Sequence, residues 1–361
     1  MHRTPDEATC SRNGTHITLD PYAVARNWQR LDRISGSECG AVVKANGYGF
    51  GLETIAGPLA KAGCRTFFVA TEAEGISLRG LLPDAIIYIL NGIFGDPRPA
   101  MDAGLRPFLS CPEALQQWPG FSDNAPAPYA LHVDTGMNRL GLAVEEALAV
   151  PARPVLLASH FASADTPDHP QNRAQEEAFA TVRAHFSAVP ASFANSAAVL
   201  TRPHTHYELT RPGIALYGGA SAPTDVPLEP TAKLETRIIQ VRSAKAGETV
   251  GYGAAERLTR DSRIAIASAG YADGYLRAAG GSDRAPGAPA AIEGVRTKLL
   301  GRVSMDLIAV DVTGINCARG DWIELFGPTV SVDEAAAAAG TIGYELLTGL
   351  SRRAARIIGP L

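Results

Sequence analysis

Short apolar runs recur along the first two thirds of the chain at spacings of roughly 20 to 30 residues. They fall at 41–43, 66–70, 85–90, 107–109, 129–133, 155–159, 191–194 and, more weakly, 206–209. Each is followed by a polar or glycine-containing corner and usually by helical spacing, the mark of repeated βα units. Parallel strands buried on both faces read as continuous apolar runs rather than as alternation. Eight such units predict an eight-stranded (β/α) barrel of TIM type. A short strand over 17–20 precedes them, and Tyr22, Val24, Ala25, Trp28 and Leu31 predict a helix over 21–31.

From about residue 232 the pattern changes to alternation, as at Leu234, Thr236 and Ile238 and again at Ile264 and Ile266, separated by turn clusters such as 245–248. Further strands are expected at 296–300, 307–312 and 322–326. Ser331, with Glu334 three residues on, starts an Ala-rich helix through a capping box, and Gly340 ends it. The second part therefore reads as a mostly antiparallel β domain. The expected division is a polar tail 1–15, a barrel 16–231 and a β domain 232–361, with the boundary after the Pro-rich segment 222–230.

The 361 residues suffice for one domain of barrel size and a smaller one. With 46% hydrophobic and 19% charged residues and a net charge of −4, composition argues against disorder and against an electrostatic nucleic-acid surface. A small-molecule partner is the expectation. Five scattered cysteines, without a C-x-x-C pair, argue against a disulfide framework or zinc site and fit a reducing cytoplasm. The opening polar run lacks a signal-type apolar core, and no apolar run is long enough to span a membrane.

Lys44 closes the first apolar run and is followed by Gly47, Gly49 and Gly51. Desolvation there would lower its amine from about 10.4, and a lowered amine can form a Schiff base. The competing reading is a lysine that caps the strand and snorkels to water. The order of residues is the reverse of a phosphate-binding P-loop. Barrel enzymes build their sites from the loops after the strands' C-terminal ends. Reactive side chains fall there repeatedly: Lys44, the segment from Asp134 to Arg139, His160, Asn195-Ser196 and Arg211. Arg139 could hold an anionic oxygen or pair with Asp134 on the surface. His160 reads either as a core histidine or as a site residue. His204 and His206 lack further ligands at metal spacing, so they are read as structural and no metal is expected.

The stretch Ala41-Val-Val-Lys44-Ala-Asn-Gly-Tyr48-Gly resembles the pyridoxal-phosphate lysine motif of the alanine racemase family. Asp134-Thr-Gly-Met-Asn-Arg139-Leu-Gly and Ser159-His160-Phe-Ala-Ser-Ala-Asp165 resemble two further family loops, and Asn195-Ser196-Ala-Ala and Arg211-Pro-Gly213-Ile214 its two cofactor loops. Downstream, Val250-Gly-Tyr252-Gly, Gly270-Tyr271-Ala-Asp-Gly and Arg302-Val-Ser-Met305-Asp306 keep the family's order. The resemblance extends from Ile17 to about Arg356. Two positions depart from it. His132 stands where many members have a lysine, often carbamylated, that buttresses the arginine, and Arg352 aligns with a phosphate-contacting tyrosine of some members.

The resemblance implies a fold type III enzyme with pyridoxal 5'-phosphate bound on Lys44. Tyr48, His160, Ser196, Arg211 and the amides of Gly213 and Ile214 would hold the cofactor, with Arg139, Tyr271, Met305 and Asp306 toward the substrate. It further implies L/D-alanine interconversion, for peptidoglycan or for D-alanine breakdown, with Lys44 as base for the D-enantiomer and Tyr252 for the L-enantiomer. An ordinary tyrosine, at about 10, is a poor base at neutral pH, so His160 linked to Arg211 is the expected helper. Family members place the tyrosine domain over the other subunit's barrel, which implies a head-to-tail homodimer with shared sites. Competing readings are a racemase for serine or a basic amino acid, a non-catalytic pyridoxal-phosphate carrier, a related decarboxylase, and a class I aldolase that uses a barrel lysine alone.

Overall fold

The apolar runs form short parallel strands in the computed structural model, which describes residues 14–119, 127–151 and 154–361. In chain order the first ten strands are β1 (Thr15–Leu19), β2 (Glu38–Cys39), β3 (Ala41–Val42), β4 (Thr66–Val69), β5 (Ile86–Ile89), β6 (Arg106–Leu109), β7 (Ala130–His132), β8 (Leu156–Ala158), β9 (Ala191–Ser192) and β10 (Leu209–Thr210). Strands β3 to β9 lie side by side in sequence order, every pair parallel. The eighth wall element, β10, is only two residues long and pairs in parallel with β2. Isolated backbone bonds close the ring on both sides of it. Arg211 N–H donates to the Ala194 carbonyl (2.9 Å), while Gly40 and Val42 donate to the carbonyls of Thr210 and Pro212 (3.0 Å each).

Inside the wall, successive strands carry rings that touch their neighbours. Phe68 stacks on Tyr88 (centroids 5.2 Å apart), Tyr88 meets Phe108 edge-on (5.9 Å), and Phe108 meets His132 edge-on (5.4 Å). All four side chains are buried. The belt lies along the strands, whereas barrel enzymes keep their chemistry at the rim beyond the strands' C-terminal ends.

The second unit is built from β11 (Ala232–Ala244), β12 (Thr249–Val250), β13 (Glu256–Arg257), β14 (Ser262–Ala267), β15 (Pro289–Ile292), β16 (Val295–Leu300), β17 (Ile308–Asp311), β18 (Trp322–Phe326) and β19 (Ala355–Ile358). Its eight-stranded sheet runs β14-β17-β16-β15-β18-β11-β1-β19 and is antiparallel apart from the β1–β19 pair. Ser331 caps the helix Val332–Ala338 with the expected reciprocal Glu334 box.

Two expectations are corrected. The division expected at residue 16 puts the strand near 17–20 in the barrel, yet β1 sits between β11 and β19, and residues 14–23 cluster with the β unit. The tail expected at 1–15 lies outside the described residues up to residue 13, and Thr15 already belongs to β1. The described residues within 24–216 and 220–229 form the barrel unit, whereas 217–219 and 230–361 join the β unit.

Candidate active site

Val43 N–H donates to the Phe68 carbonyl (2.8 Å), which ties the end of the first wall strand to the second. Beyond it the backbone enters a left-handed turn, with φ of +54° at Ala45, +52° at Asn46, +65° at Gly47 and +52° at Tyr48. Outside glycine such a conformation costs about 1–2 kcal/mol per residue, so this turn is held by its surroundings. Lys44, at its start, is half-buried. Burial and then the Arg139 cation lower its amine below the ordinary lysine value, against an opposing pull from Glu74.

Arg211 follows β10 and is buried. It donates from Nη1 to Ser192 Oγ (2.5 Å) and from Nη2 to the Ser159 carbonyl (2.6 Å), and Nη2 stands 3.5 Å from His160 Nδ1. Burial lowers its pKa to about 10, which leaves it a cation at neutral pH. His160 is held well below the usual histidine range by burial and then by Arg211, Arg139, His132 and Lys44, so its imidazole is neutral.

Ser196 opens the helix Ser196–Thr201, with Asn195 as its cap. Its Oγ accepts from Gly213 N–H (2.8 Å) and Ala215 N–H (3.3 Å), so the Gly213 amide is already engaged. The neighbouring Ile214 N–H makes no hydrogen bond among the described residues. A Cβ at Gly213 would lie 2.4 Å from the hydroxyl oxygen of the buried Tyr48, so only glycine permits this approach. Asp134 accepts from the backbone N–H groups of Gly136 and Met137 (2.8 Å each) and Arg139 (3.0 Å), which shapes the loop and presents Arg139 at its exposed end. Lys44, Tyr48, Arg139, His160, Ser196, Arg211, Gly213 and Ile214 thus all belong to the barrel unit, in loops after its strands.

Tyr252, Tyr271, Met305 and Asp306 belong to the β unit. Tyr252 is 73% exposed on a tight turn, between Gly251 and Gly253, both at positive φ. Tyr271 and Ala272 donate their N–H groups to the carbonyls of Ser304 and Met305 (3.1 Å each), which joins their two segments. The Tyr252 turn flanks the same stretch at Arg302, and a cavity of about 900 Å³ lined by Tyr252, Arg302, Ser304, Arg242 and Leu300 lies beside it.

Sequence reasoning missed several residues here. Arg353 bridges the buried Asp273 (Nε–Oδ1 2.9 Å) and Asp306 (Nη1–Oδ1 2.7 Å), fastening the Tyr271 turn to the Met305-Asp306 segment. Ser159 and Ser192, which receive Arg211, also went unread. Glu74 alone had a signal, the Thr71-x-x-Glu74 capping box.

Sequence models of the alanine racemase N-terminal and C-terminal domains match residues 19–221 and 231–358. The chain belongs to the alanine racemase family. It is 49% identical to the biosynthetic alanine racemase of Agrobacterium fabrum over 93% of this chain and 92% of that one. It is 40% identical to a catabolic alanine racemase of Mesorhizobium japonicum, over 94% and 92% of the two chains. Alanine racemase from Bartonella henselae, solved with covalently bound pyridoxal phosphate, superposes with a TM-score of 0.86 at 34% identity, covering 96% of this chain and 99% of that one.

Within this alanine racemase fold, the departure at His132 has a physical account. Its ring packs edge-on against Phe108 and its Nδ1 lies 3.3 Å from Ser110 Oγ, so it extends the aromatic belt toward the rim. Burial, then the cations of Arg211 and Arg139, lower its pKa to about 3. An unfolded histidine takes its proton near 6.5, so between those values the unfolded chain binds more protons than the folded one. His132 therefore contributes stability that is complete above about 6.5 and lost as pH falls toward 3. Urea midpoints at pH 7 and pH 5 are expected to differ less for His132→Asn than for the unaltered protein. Equal differences in the two proteins would remove His132 as a source of acid sensitivity.

Proposed function

We propose that this chain interconverts L-alanine and D-alanine, with pyridoxal 5'-phosphate on Lys44 and with Lys44 and Tyr252 as the two bases. The observation that carries the reading is the barrel rim, where a half-buried lysine with a lowered pKa shares one mouth with a buried arginine and a neutral histidine. The residues present suit the group. The uncommitted Ile214 N–H and Ser196 are available to a phosphate, the glycine at 213 leaves room only for close approach, and Tyr48 closes that side. When bound, the cofactor supplies an electron sink that makes the Cα proton acidic.

Racemisation needs one proton removed from one face of Cα and another delivered to the opposite face, so two opposed bases are required. Burial and the Arg139 charge raise the neutral fraction of Lys44, which fits it to accept a proton from D-alanine. Tyr252 does the same for L-alanine, and His160, linked onward to Arg211, is assigned as its electrostatic helper. A guanidinium has donors only, so Arg211 can hold a ring nitrogen without taking up a proton from the site. Arg139, Tyr271, Met305 and Asp306 are assigned to the substrate. Because Tyr252 stands exposed on a tight turn, we assign the working unit as a homodimer in which each β domain serves the partner's barrel. A cytoplasmic enzyme fits the scattered cysteines, and no helix among the described residues is long and apolar enough to cross a membrane.

The test is incubation of the purified holoenzyme with single L-amino acids, after its cofactor absorbance has been recorded, and chiral chromatography of the products. D-alanine is expected as the dominant product. Faster formation of D-serine, D-lysine or D-arginine would transfer the reading to another racemase. Cofactor absorbance with no D-product at all would make the chain a carrier.

A further inference from the structure

The turn after Lys44 is anchored partly by itself and partly from outside. Gly47, Gly49 and Gly51 donate to the carbonyls of Val43 (2.8 Å), Ala45 (3.0 Å) and Asn46 (2.8 Å). These bonds are local and do not fix the turn to the barrel. Asn46 N–H instead donates to Glu74 Oε1 (3.1 Å). The other oxygen, Oε2, accepts from Ala70 N–H (2.8 Å) and Thr71 N–H (3.3 Å), directly beyond β4. Asn46 Oδ1 passes the connection on to Leu52 N–H (2.9 Å), at the start of the next helix. A capping-box glutamate ordinarily satisfies only the N-terminus of its own helix. Glu74 does this with one oxygen and reaches across to the neighbouring loop with the other.

We propose that Glu74 is a positioning residue for Lys44, its carboxylate clamping the strained left-handed turn to the end of β4 and so fixing the origin of the lysine side chain. The proposal rests on Lys44 being the cofactor lysine. Among the described residues, Arg139, Glu74 and His160 act on or feel the Lys44 charge. Among them Glu74 is the anion, and it favours the protonated amine against burial and Arg139.

The experiment uses the full-length holoenzyme and four variants. Glu74→Gln removes the charge and one acceptor oxygen; kcat for alanine is expected to fall about tenfold to a hundredfold with KM little changed. The limb of the pH profile set by Lys44, read in the D-to-L direction, should move to lower pH, which a purely structural glutamate would not cause. Glu74→Asp keeps the charge and shortens the reach, so kcat should fall while that limb stays in place; it also carries the test if Glu74→Gln does not fold. Adding Ala45→Gly to Glu74→Ala should recover part of the lost kcat, because glycine adopts the left-handed turn without a clamp. Unchanged kcat in Glu74→Gln and Glu74→Asp, or no recovery in the double variant, overturns the proposal. Borohydride reduction and peptide mapping separate the two ideas. Label away from Lys44 defeats the cofactor assignment, whereas label on Lys44 with unaffected Glu74 variants defeats only the clamp.

Discussion

Tyr252→Phe is expected to keep the cofactor absorbance and to lose racemisation by about 10²- to 10⁴-fold, the usual worth of a positioned acid or base. The ring is 73% exposed and its turn is shaped by Gly251 and Gly253 at positive φ, so removing one hydroxyl leaves the fold unchanged. In deuterated solvent, exchange at Cα should become one-sided, fast from D-alanine and slow from L-alanine. Mixing this variant with Lys44→Ala under conditions of subunit exchange should restore part of the activity, since one hybrid site would hold both bases. Near-normal racemisation by Tyr252→Phe would end the two-base assignment, and heterodimers without recovered activity would end the shared site.

Lys44→Ala should have the larger effect, because it removes the proposed base and the proposed covalent attachment together. Borohydride should fix the cofactor on the Lys44 peptide of the unaltered protein and fix nothing in the variant. Compared with the cofactor-free unaltered protein, thermal stability should change little, since Lys44 is half-buried and its backbone, rather than its side chain, starts the strained turn. A variant that still carries covalent cofactor, or racemises at more than a trace, would place the chemistry on another lysine.

Much of this architecture could be read from the chain because buried parallel strands leave continuous apolar runs, and seven of the runs became β3 to β9. The eighth was faint for a physical reason. β10 is two residues long and draws its partner from Glu38-Cys39, which has no apolar run to announce it. The misassignment of β1 has a different cause. Its partners β11 and β19 lie far along the chain, and a local pattern specifies a strand without specifying its sheet. At the rim, Lys44, Arg139, His160 and Arg211 were legible because each follows an apolar run at the place where barrels keep their chemistry. Arg353 was not, since a charge on a loop looks the same whether it is solvated or bridges two segments, and the capping box at Glu74 announces a helix start without its reach to Asn46.

The pairing of β1 with both β11 and β19 orders events on the ribosome. β1 is synthesised before any strand of the barrel wall, and both of its neighbours come after the last of them. The barrel can close while β1 still has nothing to pair with, because none of the wall's bonds involve it. The β sheet, in contrast, has to wait for the far end of the described chain and then recover its second strand from the beginning. A fragment starting at residue 232 would lack that strand and leave the facing edges of β11 and β19 bare, an invitation to pair with other chains. Topologically the barrel is a long insertion between two neighbouring strands of one sheet, and the chain has to be divided there, not at residue 231, if its parts are to fold separately.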